Sequence, residues 1–171
     1  MTNSVKQRAK KIKVVLTDVD GVLTDGGMYY SEEGDMLKKF HTRDGMGVTM
    51  LRKNKIDTII ITKEKTKFVK KWSQKMNVKK LFDGIKIKES MIEKICTQYC
   101  VEPENLAYIG DDVNDIEIMK KCGLSITPND AIKEVKEIAD YISEVNGGDG
   151  VFRDAVDLIL TKKFGAKKIL Y

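Results

Sequence analysis

The chain has 171 residues, 42% of them hydrophobic, with 31 basic against 26 acidic residues and a net charge of +5. This composition excludes wholesale disorder and sets the expectation of one domain, residues 1–171, able to bury a core. The basic excess is interspersed and no zinc finger or aromatic RNA-binding motif accompanies it, so nucleic acid is excluded as a partner and an anionic small molecule is favoured.

No apolar run is long enough to span a bilayer, and the N-terminus lacks the apolar stretch of a signal peptide, so no membrane association is expected. Cys96, Cys100 and Cys122 form no CxxC pair or Cys/His cluster. Neither a disulfide framework nor a zinc site is supported, and a reducing cytoplasm is the expected compartment.

In chain order, residues 1–11 read as a basic N-terminal arm, a solvated terminus. KVVLT (13–17) is an apolar strand that ends on Asp18 and Asp20. Residues 26–41 hold two short strand-like runs around SEEGD, the pattern of a projecting β-hairpin. Helical spacing follows in DGMGVTMLRKNK, then a strand in DTIIIT (57–62), a helix in TKFVKKWSQKMN and a weaker strand around KKLFDG. KESMIEKICTQYC (helix), NLAYIG (strand, 105–110), VNDIEIMKKC (helix), GLSIT (strand, 123–127), DAIKEVKEIA (helix) and DYIS (strand, 140–143) continue the alternation. GGDG (147–150) turns into a last helix, and 163–171 form a C-terminal tail. Apolar strands alternating with helices imply an α/β fold, a three-layer α/β/α Rossmann-like parallel sheet, here with a projecting hairpin and no room for a cap domain.

In open parallel sheets, ligands bind beyond the carboxyl ends of the strands. At those ends this sequence has Asp18 and Asp20, then Thr62, then Asp111, Asp112 and Asp115, while Lys88 opens the helix before the NLAYIG strand. One DxD alone is an ordinary turn or helix cap. Carboxylates brought together from separate strand ends repel unless a cation sits between them, and oxygen-only ligands favour a hard ion, Mg²⁺. A carboxylate against Mg²⁺ suits in-line attack on a phosphate, a second could move protons, and Thr62 and Lys88 could hold phosphate oxygens.

DVDGVLTDG, the Thr62 strand end, Lys88 and GDDVND together resemble, in order, the four motifs of the haloacid dehalogenase-like phosphohydrolases, over about residues 12 to 160. The resemblance implies Asp18 as nucleophile and Asp20 as general acid/base. It implies Mg²⁺ held by the Asp18 side chain, the Asp20 carbonyl and Asp111, with Thr62 and Lys88 on the phosphate and Asp112 and Asp115 as supporting carboxylates. Asp112 also reads as a plain cap for the following helix.

DVDGVLTDGG, HTRDGMGV and GGDGVFRDAVDLIL resemble more narrowly the small capless branch containing 3-deoxy-octulosonate 8-phosphate phosphatase and its nonulosonate relatives. That resemblance implies a homotetramer whose hairpins assemble and whose neighbouring subunits help close each site. It also implies His41, Thr42, Arg43, Asp44 and Gly45 near the substrate. Where the octulosonate enzymes carry Thr-Gly-Arg, this chain reads ITKEKT, with Lys63 in place of Gly and Glu64 in place of Arg. Reversing a pocket charge changes which anion is gripped. Glu64 with Lys75 resembles instead the phosphatases of nine-carbon 2-keto-3-deoxy sugar acids. The expected substrate is therefore a nonulosonate (KDN or N-acylneuraminate) 9-phosphate, with 3-deoxy-D-manno-octulosonate 8-phosphate as the alternative. Two readings from other classes stand beside these: a response-regulator-like domain, against which Asp20 argues, and a noncatalytic partner of a sugar-acid nucleotidyltransferase, against which the intact motifs argue.

Overall fold

A computed structural model describes residues 3–165. In chain order the elements are α1 (Asn3–Lys11), β1 (Val14–Thr17), β2 (Tyr29–Ser31), β3 (Gly34–Leu37), α2 (Thr42–Lys53), β4 (Asp57–Ile61), α3 (Lys67–Met76) and β5 (Lys80–Phe82). There follow α4 (Met91–Tyr99), β6 (Leu106–Ile109), α5 (Ile116–Lys121), β7 (Leu124–Thr127), α6 (Lys133–Ile138), β8 (Tyr141–Ile142) and α7 (Val151–Phe164). Six strands form one parallel sheet in the order β5-β4-β1-β6-β7-β8, and β2 and β3 pair separately as an antiparallel hairpin.

Side chains of the apolar strands alternate between two cores, as period-two geometry requires. Val15, Ile60, Ala107 and Ile109 face α1, α2, α3 and α7, through residues such as Val48, Leu51, Val69, Phe152 and Val156. Val14, Leu16, Ile59, Ile61, Leu106 and Tyr108 face α4, α5 and α6, through Ile92, Ile95, Ile118 and Val135. The sheet is thus covered on both faces, which is why its strands read as continuous apolar runs.

The expected strands all form, including the weak one at β5, and the hairpin lies within residues 26–41. The N-terminal segment corrects the reading of a solvated arm. Residues 3–11 are helical, and Val5, Ala9 and Ile12 are buried against the core beside α7. Apolar residues at i, i+4 and i+7 mark that inward stripe, and the lysines that dominate the composition occupy the opposite face. The expected tail at 163–171 begins inside α7, which runs to Phe164; residues 166–171 lie outside the described residues.

Candidate active site

The register of the sheet sets the site. Thr17 at the end of β1 is level with Ile60 of β4 and Ile109 of β6, so the residues just beyond the three strands emerge side by side. The Asp18 N–H donates to the Ile109 carbonyl at 3.0 Å, carrying the pairing one step past the strand. Asp18, Asp20, Gly21, Thr62, Lys63, Glu64, Asp111 and Asp112 then line one cavity of about 360 Å³. Gly21 has φ +81°, and a Cβ there would fall 2.0 Å from Asp111 Oδ2, so the glycine of DVDG is what lets the two acidic segments touch. Gly147 presses on the Gly21 carbonyl from behind and the Gly148 N–H donates to Val22. GGDG therefore buttresses the turn after β1 as well as leading into α7.

The floor of the cavity is a buried ion network. Lys88, in a 3-10 turn before α4, has no exposed side-chain surface; its Nζ lies 2.8 Å from Asp18 Oδ2 and 2.6 Å from Asp115 Oδ1. Tyr108 donates its hydroxyl to Asp115 Oδ1 at 2.6 Å, and Asp115 Oδ2 accepts the Asp111 N–H at 3.0 Å. Asp115 is thereby fully engaged and acts as a brace. Asp112 accepts the Val113 N–H at 2.7 Å, the cap that its position in the sequence also suggested.

One lysine against three carboxylates leaves the cluster short of positive charge. Burial, and after it the charge of Asp115, pushes Asp18 up to about 7, with Lys88 pulling back. Burial and the charges of Asp115, Asp18 and Asp112 push Asp111 up to about 8. Burial alone would pull the Lys88 ammonium down, but Asp18 and Asp115 outweigh it and hold it up. Oxygens of Asp18, Asp111 and Asp115 lie within 4.8 Å of one another, and Asp111 Oδ1 is buried with no hydrogen-bond partner. An all-oxygen donor set with an unused buried oxygen fits a hard divalent cation, whose charge would restore both carboxylates to their ionised forms.

At the mouth of the cavity lies a residue that sequence reasoning missed. Lys38, just after β3 of the hairpin, has a side chain only 10% exposed; its Nζ contacts Asp20 Oδ1 and lies 3.0 Å from Glu64 Oε2. Nothing in the LKKF stretch marked it among 31 basic residues; only the fold of the hairpin over the site does. The hairpin is held there by a bridge between Thr24 and Phe40 and by stacking of Phe40 on Trp72 at 5.0 Å. Lys63, where a glycine stands in the octulosonate pattern, does not have a left-handed backbone, so the missing glycine costs no strain here.

Most of the expected substrate residues lie elsewhere in the fold. His41, Thr42, Gly45 and Lys75 line a second cavity of about 480 Å³ together with Phe40, Met46 and Trp72. His41 caps α2 by accepting the Arg43 N–H, and Arg43 itself is exposed. Asp44 is buried, and its Oδ1 accepts the Arg153 N–H at 2.9 Å, a contact between α2 and the start of α7. Of that group only Glu64 joins Asp18 and Asp20.

A family profile described as haloacid dehalogenase-like hydrolase matches residues 38–153. The 3-deoxy-D-manno-octulosonate 8-phosphate phosphatase of Haemophilus influenzae is 36% identical over 156 residues, spanning 91% of this chain and 87% of that protein. The crystal structure of the Yersinia pestis phosphatase of the same name superposes with a TM-score of 0.95 at 33% identity, covering 99% of this chain and 91% of that one. That of the Moraxella catarrhalis phosphatase, in complex with magnesium ion, phosphate ion and KDO, gives 0.92 at 30% identity over 95% and 94% of the two chains.

Proposed function

This chain belongs to the haloacid dehalogenase-like hydrolases and is a phosphatase, and from that premise we propose that its substrate is the phosphomonoester of a 2-keto-3-deoxy sugar acid, with 3-deoxy-D-manno-octulosonate 8-phosphate first. The relatives' substrate, at these identities and over nearly the whole chain, outweighs the single exchange at Glu64. The order of substrates expected from the sequence is therefore reversed. The nonulosonate 9-phosphate stays as the second reading on one observation: the acidic Glu64 faces the catalytic cavity where an arginine would face it in the octulosonate pattern.

The observation that carries the phosphatase chemistry is the meeting of Asp18 and Asp111, just beyond the ends of β1 and β6, with Lys88 from the turn before α4. Asp18 attacks phosphorus, and the bond to the leaving oxygen breaks as that oxygen takes a proton from Asp20. Water then attacks the aspartyl-phosphate, Asp20 takes its proton, inorganic phosphate departs and Asp18 is restored. Lys88 fixes Asp18 and, with Thr62, offers positive charge and a hydroxyl to the non-bridging oxygens. Mg²⁺, which the donor set fits, would be held by the Asp18 side chain, the Asp20 carbonyl and Asp111 and would neutralise the charge on the phosphate. Tyr108 and Asp115 keep Lys88 in place.

The same reading includes a homotetramer. Met28, Tyr29, Tyr30, Met36 and Leu37 are exposed on the hairpin, an apolar surface that a neighbouring subunit would cover. It also offers a role for the cavity around His41 and Lys75, which would complete a neighbour's site.

Steady-state comparison of the octulosonate 8-phosphate, a nonulosonate 9-phosphate and a hexose phosphate tests the substrate. Highest kcat/KM on the eight-carbon compound is expected, and preference for the nine-carbon one would restore Glu64 as the deciding residue. Asp18→Asn is expected to lower kcat by at least ~10³-fold while keeping the fold, and EDTA to abolish turnover until Mg²⁺ is returned. Unchanged turnover in either case would end the assignment.

A further inference from the structure

The contacts of Lys38 are those of a built element of the site. Its ammonium sits between two carboxylates from different parts of the chain, Asp20 after β1 and Glu64 after β4, and it is shielded from solvent. Its backbone follows Leu37, which pairs with Tyr29 in the hairpin, and leads into two anchored residues. Phe40 bridges to Thr24 and stacks on Trp72, and Lys39 reaches Asp149 at 3.1 Å. The Thr24 hydroxyl, shared with the Val19 carbonyl at 3.3 Å, also reaches at 3.3 Å the same oxygen of Asp20 that Lys38 contacts. Asp20 Oδ1 thus takes both bonds, which leaves Oδ2 as the oxygen available to carry a proton.

We propose that Lys38 is a positioning residue for proton transfer: with Glu64 as its second anchor, it fixes the Asp20 carboxyl so that Oδ2 faces the leaving oxygen. This rests on the reading of Asp20 as the general acid/base. In the first half-reaction the proton on Oδ2 passes to the leaving oxygen as the P–O bond breaks, and in the second Oδ2 takes a proton from the attacking water. Glu64 then acts on chemistry through Lys38, whichever sugar occupies the cavity. The side chain of Lys38 never touches phosphorus, and its effect is confined to how well Asp20 is aimed.

Aiming of an acid has a signature that binding or folding lacks. A good leaving group departs without a proton, whereas a poor one needs it. The probes are 4-nitrophenyl phosphate, phenyl phosphate and a simple alkyl phosphate, none of which carries a carboxylate, and the readout is kcat/KM, which reports transfer up to formation of the phospho-enzyme. Asp20→Asn is expected to lose progressively more along this series. Lys38→Met and Lys38→Gln are expected to follow it, with the loss on the alkyl phosphate about tenfold larger than on 4-nitrophenyl phosphate. Lys38→Arg should regain most of the wild-type dependence and Glu64→Gln should shift it in the same direction by less. An equal loss across the series in both Lys38 variants, or none, overturns the proposal. If Asp20→Asn itself shows no dependence on the leaving group, the acid/base reading fails first and the proposal falls with it. A preference for one sugar acid over another leaves this test unaffected.

Discussion

Asp44 illustrates a carboxyl whose role is set by its neighbours in space. Its Oδ1 accepts the Arg153 N–H, while Oδ2 is buried without a partner. Burial pushes it up to about 7, with the Arg153 N–H and then the Arg153 charge pulling back. In the unfolded chain an aspartate titrates near about 3.9. As pH rises from about 4 to about 7, the unfolded state therefore loses this proton first. Stability is highest below that window, falls through it and levels off above it. Asp44→Asn keeps the acceptor and removes the charge. Urea unfolding across pH should show the variant gaining on the wild type by about 4 kcal/mol by pH 8, with no gap near pH 3. Asp18, Asp20, Thr62, Lys88 and Asp111 were legible in the sequence because each is an abrupt polar residue at a strand end or helix start. Lys38 was not, because it lies beside a hairpin, and Asp44 was marked only as a residue near the substrate, because the Arg153 N–H it accepts is far along the chain.

Among the elements, the hairpin is anchored by one aromatic pair. Phe40 and Trp72 stack with centroids 5.0 Å apart and planes 13° apart, tying the return strand to α3. Trp72 is the chain's single tryptophan, so its fluorescence reports this contact. Phe40→Ala should alter the emission, lower stability by about 2 kcal/mol and speed proteolysis at the hairpin tip. Unchanged emission and cleavage would show that the hairpin is held by something else. Element existence was readable throughout the sheet because apolar runs of four or five residues stand between clear helical patterns. The N-terminal helix escaped because its apolar stripe, Val5, Ala9 and Ile12, is narrow and embedded in lysines. The start of α2 lies two residues earlier than its pattern suggested, because His41 supplies the cap.

At the level of the whole molecule, the cavity lined by Asp18, Asp20 and Asp111 opens beneath the hairpin, and among the described residues no cap domain covers it. The proposed tetramer would bring a neighbour over this opening. Light scattering should then give a mass four times that of the chain, and replacing Met28 and Met36 with polar residues should lower the mass and the activity together. A monomer with full turnover would refute the shared site. Sequence alone conveyed the layers and the strand order's crossover logic, since both follow from alternation and handedness. It could not convey that His41, Thr42, Gly45 and Lys75 share a cavity apart from Asp18, because that depends on how α2 and α3 pack.

The first strand sits in the middle of the sheet, with β4 on one side and β6 on the other, each recruited from a distant stretch of polypeptide. Because parallel neighbours must be gathered over long loops before either pairing is rewarded, they assemble slowly. Regain of turnover after dilution from denaturant is therefore a late clock. It starts only when both flanks have zipped onto the centre, long after local helices have formed.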